Sequence, residues 1–230
     1  MHDEPTHKPA KDVIEIFPRN DPRKVELPEG GSLTCVPRIY DWSFANQLYL
    51  RLRKTVRWEE VLVREQNTRW FTTSMARKPT RRSVGRGRPS DTRDILEALA
   101  TRTETLGESS FALDRIVLNL LDGELDQIPF DAEGAPSFLR GGVATMLSLG
   151  EPRKLVLEHR TSGQRVLVHL MHGSLLVLAG VPDTRWRIEV QPEPGARGGH
   201  INIMMSSVAR PTPRRVDRGR VSTSPIFEAC

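Results

Sequence analysis

Cysteine is almost missing from this chain, with only Cys35 and Cys230 among 230 residues. The two are far apart in sequence, which argues against a disulfide framework and for a reducing interior compartment. Neither sits in a zinc-type spacing. Cys230 has no three residues after it, so it does not fit a prenylation signal. Long apolar runs are missing too, and none approaches the roughly 18 residues a membrane-spanning helix needs. The opening MHDEPTHKPAKD carries acidic residues at once and no apolar segment, so a secretory leader is not expected. Several reaction signatures are also lacking. Ser174 follows Gly173 without a Gly-x-Ser-x-Gly elbow, and the GRGRP run at Gly85–Pro89 has no Lys-Ser/Thr after it to make a phosphate loop.

What is present suits one domain with a real core. Hydrophobic residues make up 37% of the chain, enough for a domain of ordinary size plus tails. Composition divides it into an arm over 1–26, which has one short apolar patch at Val13–Phe17 and is expected to lay one strand on the body, a domain over 27–208, and a basic tail over 209–230 expected to be disordered. The formal charge is +5 and the sequence pI about 9.6. Two runs hold much of the excess: RKPTRRSVGRGR (Arg77–Arg88) and RPTPRRVDRGR (Arg210–Arg220). Such clusters attract polyanions, most often nucleic acid. The competing reading is a solvated loop and a solvated tail. Arg77, Lys78, Arg81, Arg82, Arg86 and Arg88 are the candidate phosphate contacts. Aromatic residues are scarce at 6%, and near this loop the base-stacking candidates are Trp70 and Phe71, with core packing favoured over stacking.

The patterning begins helical and turns strand-like. Asp41 or Ser43 caps an expected helix to about Lys54, with Phe44, Leu48 and Leu52 as its stripe and Arg53 and Lys54 at its C-terminal end. Ser90 opens a second helix to about Leu106, with Ile95, Leu96 and Leu99 facing inward. From Phe111 on, seven strands are expected: Ile116–Leu121, Val143–Leu149, Lys154–His159, Gln164–Leu170, Ser174–Ala179, Arg185–Val190 and His200–Ser206. Leu175-Leu176-Val177-Leu178 is apolar on successive residues, so both faces of that strand should be buried. The fold class is α+β, a β-sandwich or barrel backed by two N-terminal helices.

The joint order of several segments resembles the AlkB-like iron(II)/2-oxoglutarate dioxygenases from about Leu27 to Val208. HGSLLVLAGVPDTRW (His172–Trp186) is similar to a strand, turn and Trp of that family. IVLNLLDGELDQIPFDAEGAP (Ile116–Pro136) is similar to its Asn-x-Tyr, Asp-Gly and Ile-x-x-His-x-Asp run. GGHINIMMS (Gly198–Ser206) has the rhythm of its last Arg-x-Asn-Leu-Thr-x-Arg strand. The resemblance implies a double-stranded β-helix (jelly-roll) core. It also implies iron(II) held by two His and one carboxylate, with 2-oxoglutarate beside it.

This sequence departs from the pattern at those chemical positions. The first His position is Asp131, the carboxylate position Glu133, and the second His position, two residues after Trp186, is Ile188. Asn119 matches the family's strand Asn, but its Tyr partner is Leu121. The Arg expected to pair with 2-oxoglutarate is Ser206, and the other Arg is His200. A serine supplies one weak neutral bond where a guanidinium supplies a charge-assisted fork. His169, His172 and His200 are the residues from which a different metal site could be rebuilt, and Asp131 with Glu133, on one strand face, would be the pair to hold magnesium. Three functions follow. One is a catalytically inactive domain, with no cofactor, that binds nucleic acid, RNA in particular, within a ribonucleoprotein or RNA-processing complex. The second is an active dioxygenase using iron(II) and 2-oxoglutarate on nucleic acid or protein. The third is a scaffold that binds only protein.

Overall fold

The computed structural model describes residues 13–17, 21–28, 30–63, 68–76, 92–106, 113, 115–131 and 142–206. Among these residues two sheets face each other, and two helices lie behind the larger one.

The first helix, α1 (Trp42–Thr55), starts where the sequence marks it. The Asp41 carboxylate accepts the Phe44 amide at 2.8 Å, satisfying one of the free N–H groups of the first turn. Arg53 and Lys54 occupy the last turn, where the helix dipole favours cations. The inward stripe is Ala45, Leu48 and Leu52. Phe44 is exposed instead, with its ring against Tyr40, so the expected stripe is turned by one residue. The second helix, α2 (Thr92–Leu106), buries Leu96, Leu99 and Ala100. The expected cap at Ser90 lies outside the described residues.

The larger sheet has eight strands. In spatial order they are β2 (Arg23–Glu26), β3 (Ser32–Val36), β10 (Leu175–Ala179), β7 (Val143–Gly150), β12 (His200–Ser206), β6 (Arg115–Leu121), β5 (Thr68–Ala76) and β4 (Glu59–Val63). The smaller sheet has four: β1 (Val13–Ile16), β9 (Arg165–Leu170), β8 (Arg153–His159) and β11 (Trp186–Val190). The pairing is antiparallel except for β1, which joins β9 in parallel. The described residues of the N-terminal arm therefore supply two strands, one to each sheet, where the sequence pointed to one.

The apolar run on β10 is buried on both faces. Leu176 and Leu178 point into the space between the sheets, while Leu175 and Val177 pack with the helical side. Two cores result. One fills the barrel with Leu157, Val166, Val168, Met146, Trp70 and Trp186. The other joins α1 and α2 to the back of the large sheet through Leu48, Leu52, Leu96, Ile201 and Ile203. Alternation along β12 divides its residues between the two, since successive strand side chains point to opposite faces.

Strands β9 and β10 are joined by the short turn Met171-His172-Gly173, yet they belong to opposite sheets. Gly173 has φ +76°, a value that glycine adopts without steric cost. Its N–H reaches the Ser148 carbonyl and its carbonyl accepts the Ile39 N–H. The turn is thus a corner of the sandwich rather than a hairpin end.

Candidate functional site

Asp131 follows β6 through the loop that carries Ile128, which bridges to Val190 on β11. It lies in a turn at φ +51°, a left-handed conformation that Asp tolerates better than most residues. The strand face it was expected to share with Glu133 does not include it, and Glu133 lies outside the described residues.

Cations surround the Asp131 carboxylate. Arg160, just past β8, donates to both oxygens, through Nη1 at 2.8 Å and through Nη2 to Oδ1. Arg187 of β11 stands 3.8 Å away. The hydrogen bond from Arg160, reinforced by the two positive charges, holds the Asp131 carboxyl below the usual carboxylate range. Arg187 also lies over the Phe130 ring at 4.5 Å and reaches Glu158 at 2.5 Å. Glu158 takes a second arginine, Arg165, at 2.6 Å. Burial works to raise the Glu158 pKa, but the bonds and charges of Arg187 and Arg165 outweigh it and the net shift is downward. None of these arginines was singled out in the sequence. They come from three strands or their ends, and only the register of β8 with β9 and β11 unites them.

Ile188, opposite Leu157, packs against the barrel core. The position that the resemblance gives to an imidazole is therefore apolar. Asp131, its neighbour in the implied triad, is already engaged by guanidinium groups. No group of three or more His, Cys, Asp or Glu suited to a metal ion occurs among the described residues. The residues described here do not fit iron(II). The three histidines do not form a substitute. His169 pairs with Glu15 at 2.8 Å and stacks on Phe17 at 3.9 Å, fixing the arm to β9. His172 accepts the Gly150 N–H at Nδ1, 2.8 Å. His200 is fully buried with Nδ1 2.7 Å from the Glu151 carbonyl, and burial lowers its pKa to about 4.

The co-substrate positions differ in kind. Leu121 belongs to the barrel core and Ser206 is buried. With His200 neutral, neither end of β12 offers a cation to a dicarboxylate. The middle of the barrel is nevertheless polar. Register places Thr72, Asn119, Asn202 and Ser148 in one row across β5, β6, β12 and β7. Asn119 accepts from Thr72 at 3.0 Å and donates to the Met204 sulfur at 3.3 Å. Asn202 is fully buried with neither amide atom bonded, and the Ser148 hydroxyl is likewise unpartnered. An unbonded buried amide costs on the order of 1–3 kcal/mol, so this row has the capacity to bind a small polar guest or water. Asn119, matched to the family's strand Asn, was the member of this row singled out in the sequence.

Trp70 is fully buried in the barrel, so core packing prevails over base stacking there; Phe71 is half-buried with the Arg69 guanidinium 5.7 Å above its ring. Arg77, Lys78, Arg81, Arg82, Arg86, Arg88 and the tail from 209 lie outside the described residues. No helix among the described residues is long and apolar enough to cross a membrane.

No family profile matches the chain. A stretch of 129 residues is 26% identical to human alpha-ketoglutarate-dependent dioxygenase alkB homolog 3, covering 52% of this chain and 44% of that protein, so less than half of the relative's length is represented. Among solved structures, a 2OG-Fe(II) oxygenase family oxidoreductase from Burkholderia pseudomallei superposes with a TM-score of 0.51 at 12% identity. That match covers 75% of this chain and 83% of the other. A Pseudomonas putida prolyl-4-hydroxylase gives a TM-score of 0.49 at 14% identity, over 76% and 92%. The two facing sheets, with helices behind the larger, are thus the double-stranded β-helix fold of the 2-oxoglutarate/iron(II) oxygenases.

Proposed function

We propose that this chain is a catalytically inactive AlkB-like domain that works inside the cell as a nucleic-acid-binding module, with RNA in a ribonucleoprotein or RNA-processing complex as its partner. One observation carries the first half. Asp131 is held by Arg160 and Arg187, and Ile188, where the resemblance puts an imidazole, faces the barrel core. A divalent cation there would have to displace two guanidinium groups and would find no imidazole at Ile188. The second half is supported by the net charge of +5 and by the arginines of 77–88. Contacts from such a loop are chiefly to phosphate and fade with salt.

A second reading draws on the human relative's name and on the unbonded Asn202 and Ser148 inside the barrel. It is an active iron(II)/2-oxoglutarate dioxygenase acting on nucleic acid or protein. Two assays separate the readings. With iron(II) and 2-oxoglutarate, no decarboxylation above the protein-free rate is expected; turnover that Asp131→Ala abolishes would establish the enzyme. In a mobility-shift series, generic RNA is expected to bind at low salt and weaken above physiological salt. Charge reversal at Arg81 and Arg82 should remove that binding. Absence of binding at every salt concentration would point to a protein-only scaffold.

A further inference from the structure

At the opposite end of the barrel from Asp131, the length of β8 away and so on the order of 20 Å, a cleft opens between α1 and the β7–β8 turn. Its volume is about 310 Å³, and Trp42, Asn46, Tyr49, Glu151 and His172 line it over a floor at Gly198–Gly199. We propose that this cleft binds a single guanine base, either within a single strand or as a free nucleotide. The proposal rests on the nucleic-acid reading above and names a contact that the basic loop does not supply.

The platform is Trp42. It is 69% exposed, whereas Trp70 and Trp186 are fully buried and Trp58 is half-buried. Its ring is tilted against His172, with centroids 5.9 Å apart. A large indole left open to water at the edge of a cleft is suited to stacking on another flat ring. The floor is backbone for a steric reason. A Cβ on Gly199 would come within 3.0 Å of the Arg53 guanidinium and of the Asp122 carboxylate, and one on Gly150 (φ +92°) would sit 2.2 Å from the Gly199 carbonyl. The cleft lies at the small end of the size range of ligand sites, right for one nucleotide and too small for a folded partner's element.

The walls set the polarity. The Asn46 amide and the Glu151 carboxylate make no side-chain hydrogen bond or ion pair among the described residues, though both are half-buried. An ionised carboxylate only accepts, so it calls for a ring edge with adjacent N–H donors. Guanine has such an edge in N1–H and its 2-amino group; adenine has an acceptor at N1, and uracil has a single N–H between two carbonyls. Because Gly150 donates to His172 Nδ1, the neutral ring carries its proton on Nε2, and that N–H is buried without a partner beside the cleft. Arg197, exposed and one residue before the glycine floor, makes no ion pair among the described residues and is available to a phosphate.

The test uses the full chain, tryptophan fluorescence and three probes: GMP, AMP and UMP. GMP should quench emission and bind about tenfold or more tighter than AMP. Trp42→Ala should lose that quenching and weaken GMP binding about tenfold or more, with an unchanged urea midpoint because Trp42 is exposed. Glu151→Gln, close in shape, should shrink the preference for GMP over AMP to within about twofold. Equal binding of all three nucleotides, or a guanine preference that survives Glu151→Gln, overturns the proposal. Single-stranded pentamers with and without one G distinguish the sources. Tighter binding of the G-containing pentamer than of GMP assigns the base to a strand, and GMP binding alone assigns it to a free nucleotide; both support the cleft. The two layers fail separately. RNA shifts that persist in Trp42→Ala with no GMP preference in the native chain sink the cleft and leave the loop. A GMP preference that persists after Arg81 and Arg82 are reversed and RNA binding is lost does the opposite.

Discussion

Replacing Glu158 with Gln keeps the side chain's size and removes one charge from beneath two arginines. The Glu158 carboxylate is 8% exposed and accepts from Arg165 Nε at 2.6 Å and Arg187 Nη2 at 2.5 Å. Hydrogen bonds to charged groups contribute about 1.5–3 kcal/mol each. The two arginines are 49% and 34% exposed, so they regain water when the carboxylate is neutralised, which offsets part of that sum. A loss of about 2 kcal/mol is expected, less than the roughly 3–5 of a fully buried broken pair. Asp131→Asn is the control. Its pair with Arg160 is 48% and 35% exposed, so water screens it and the loss should be about 0.5–1 kcal/mol. Urea unfolding at pH 7 measures both. At an m-value of roughly 2 kcal/mol per M, Glu158→Gln should move the midpoint down by about 1 M and Asp131→Asn by about half of that or less. The pH dependence has a fixed sign. The folded pKa of Glu158 lies below its unfolded value, so its contribution is complete above the unfolded pKa and disappears as the pH falls through the folded one. The gap between native chain and variant should close in acid. Equal losses at the two positions, or a gap that widens in acid, would refute the reasoning.

The barrel core and the helix cap make simpler predictions. Leu176→Ala, at a position 1% exposed between the sheets, should cost about 3 kcal/mol because the surrounding strands cannot collapse onto the void; a thermal-melt change of less than 2 °C would contradict it. Asp41→Ala removes the acceptor for the Phe44 amide and should cost about 1 kcal/mol, while Asp41→Asn should recover most of it in the same melts.

Local signals were legible where one residue's chemistry decides the outcome. Asp41 marks the start of α1 because few other residues there can accept a first-turn N–H. The unbroken apolar run of β10 told of two buried faces because no polar residue breaks it. Phe44 misled because its spacing fits the stripe as well as Ala45 does, and only the angle of α1 on the sheet decides between them. The arm's second strand was invisible because Arg23–Glu26 is mostly polar and gains its place by pairing with β3. At the candidate site, the unsuitability of Ile188 could be read from residue type alone. The arginines around Asp131 could not, since Arg160 is 29 positions away and meets it through a turn at positive φ. The row of Asn119, Asn202 and Ser148 needed the strand register, which no single segment encodes.

The parallel pairing of β1 with β9 has a consequence for how the chain is made. Glu15 meets His169 across 154 positions, so β1 cannot find its place until the chain has been made through β9. At about 5–20 residues per second, that interval is roughly 8–30 s. For that time Val13–Ile16 is a lone ribbon with open edges, the kind of segment that pairs with strangers. Its short length, its central Glu15 and the proline two residues after its end protect the nascent protein while it waits.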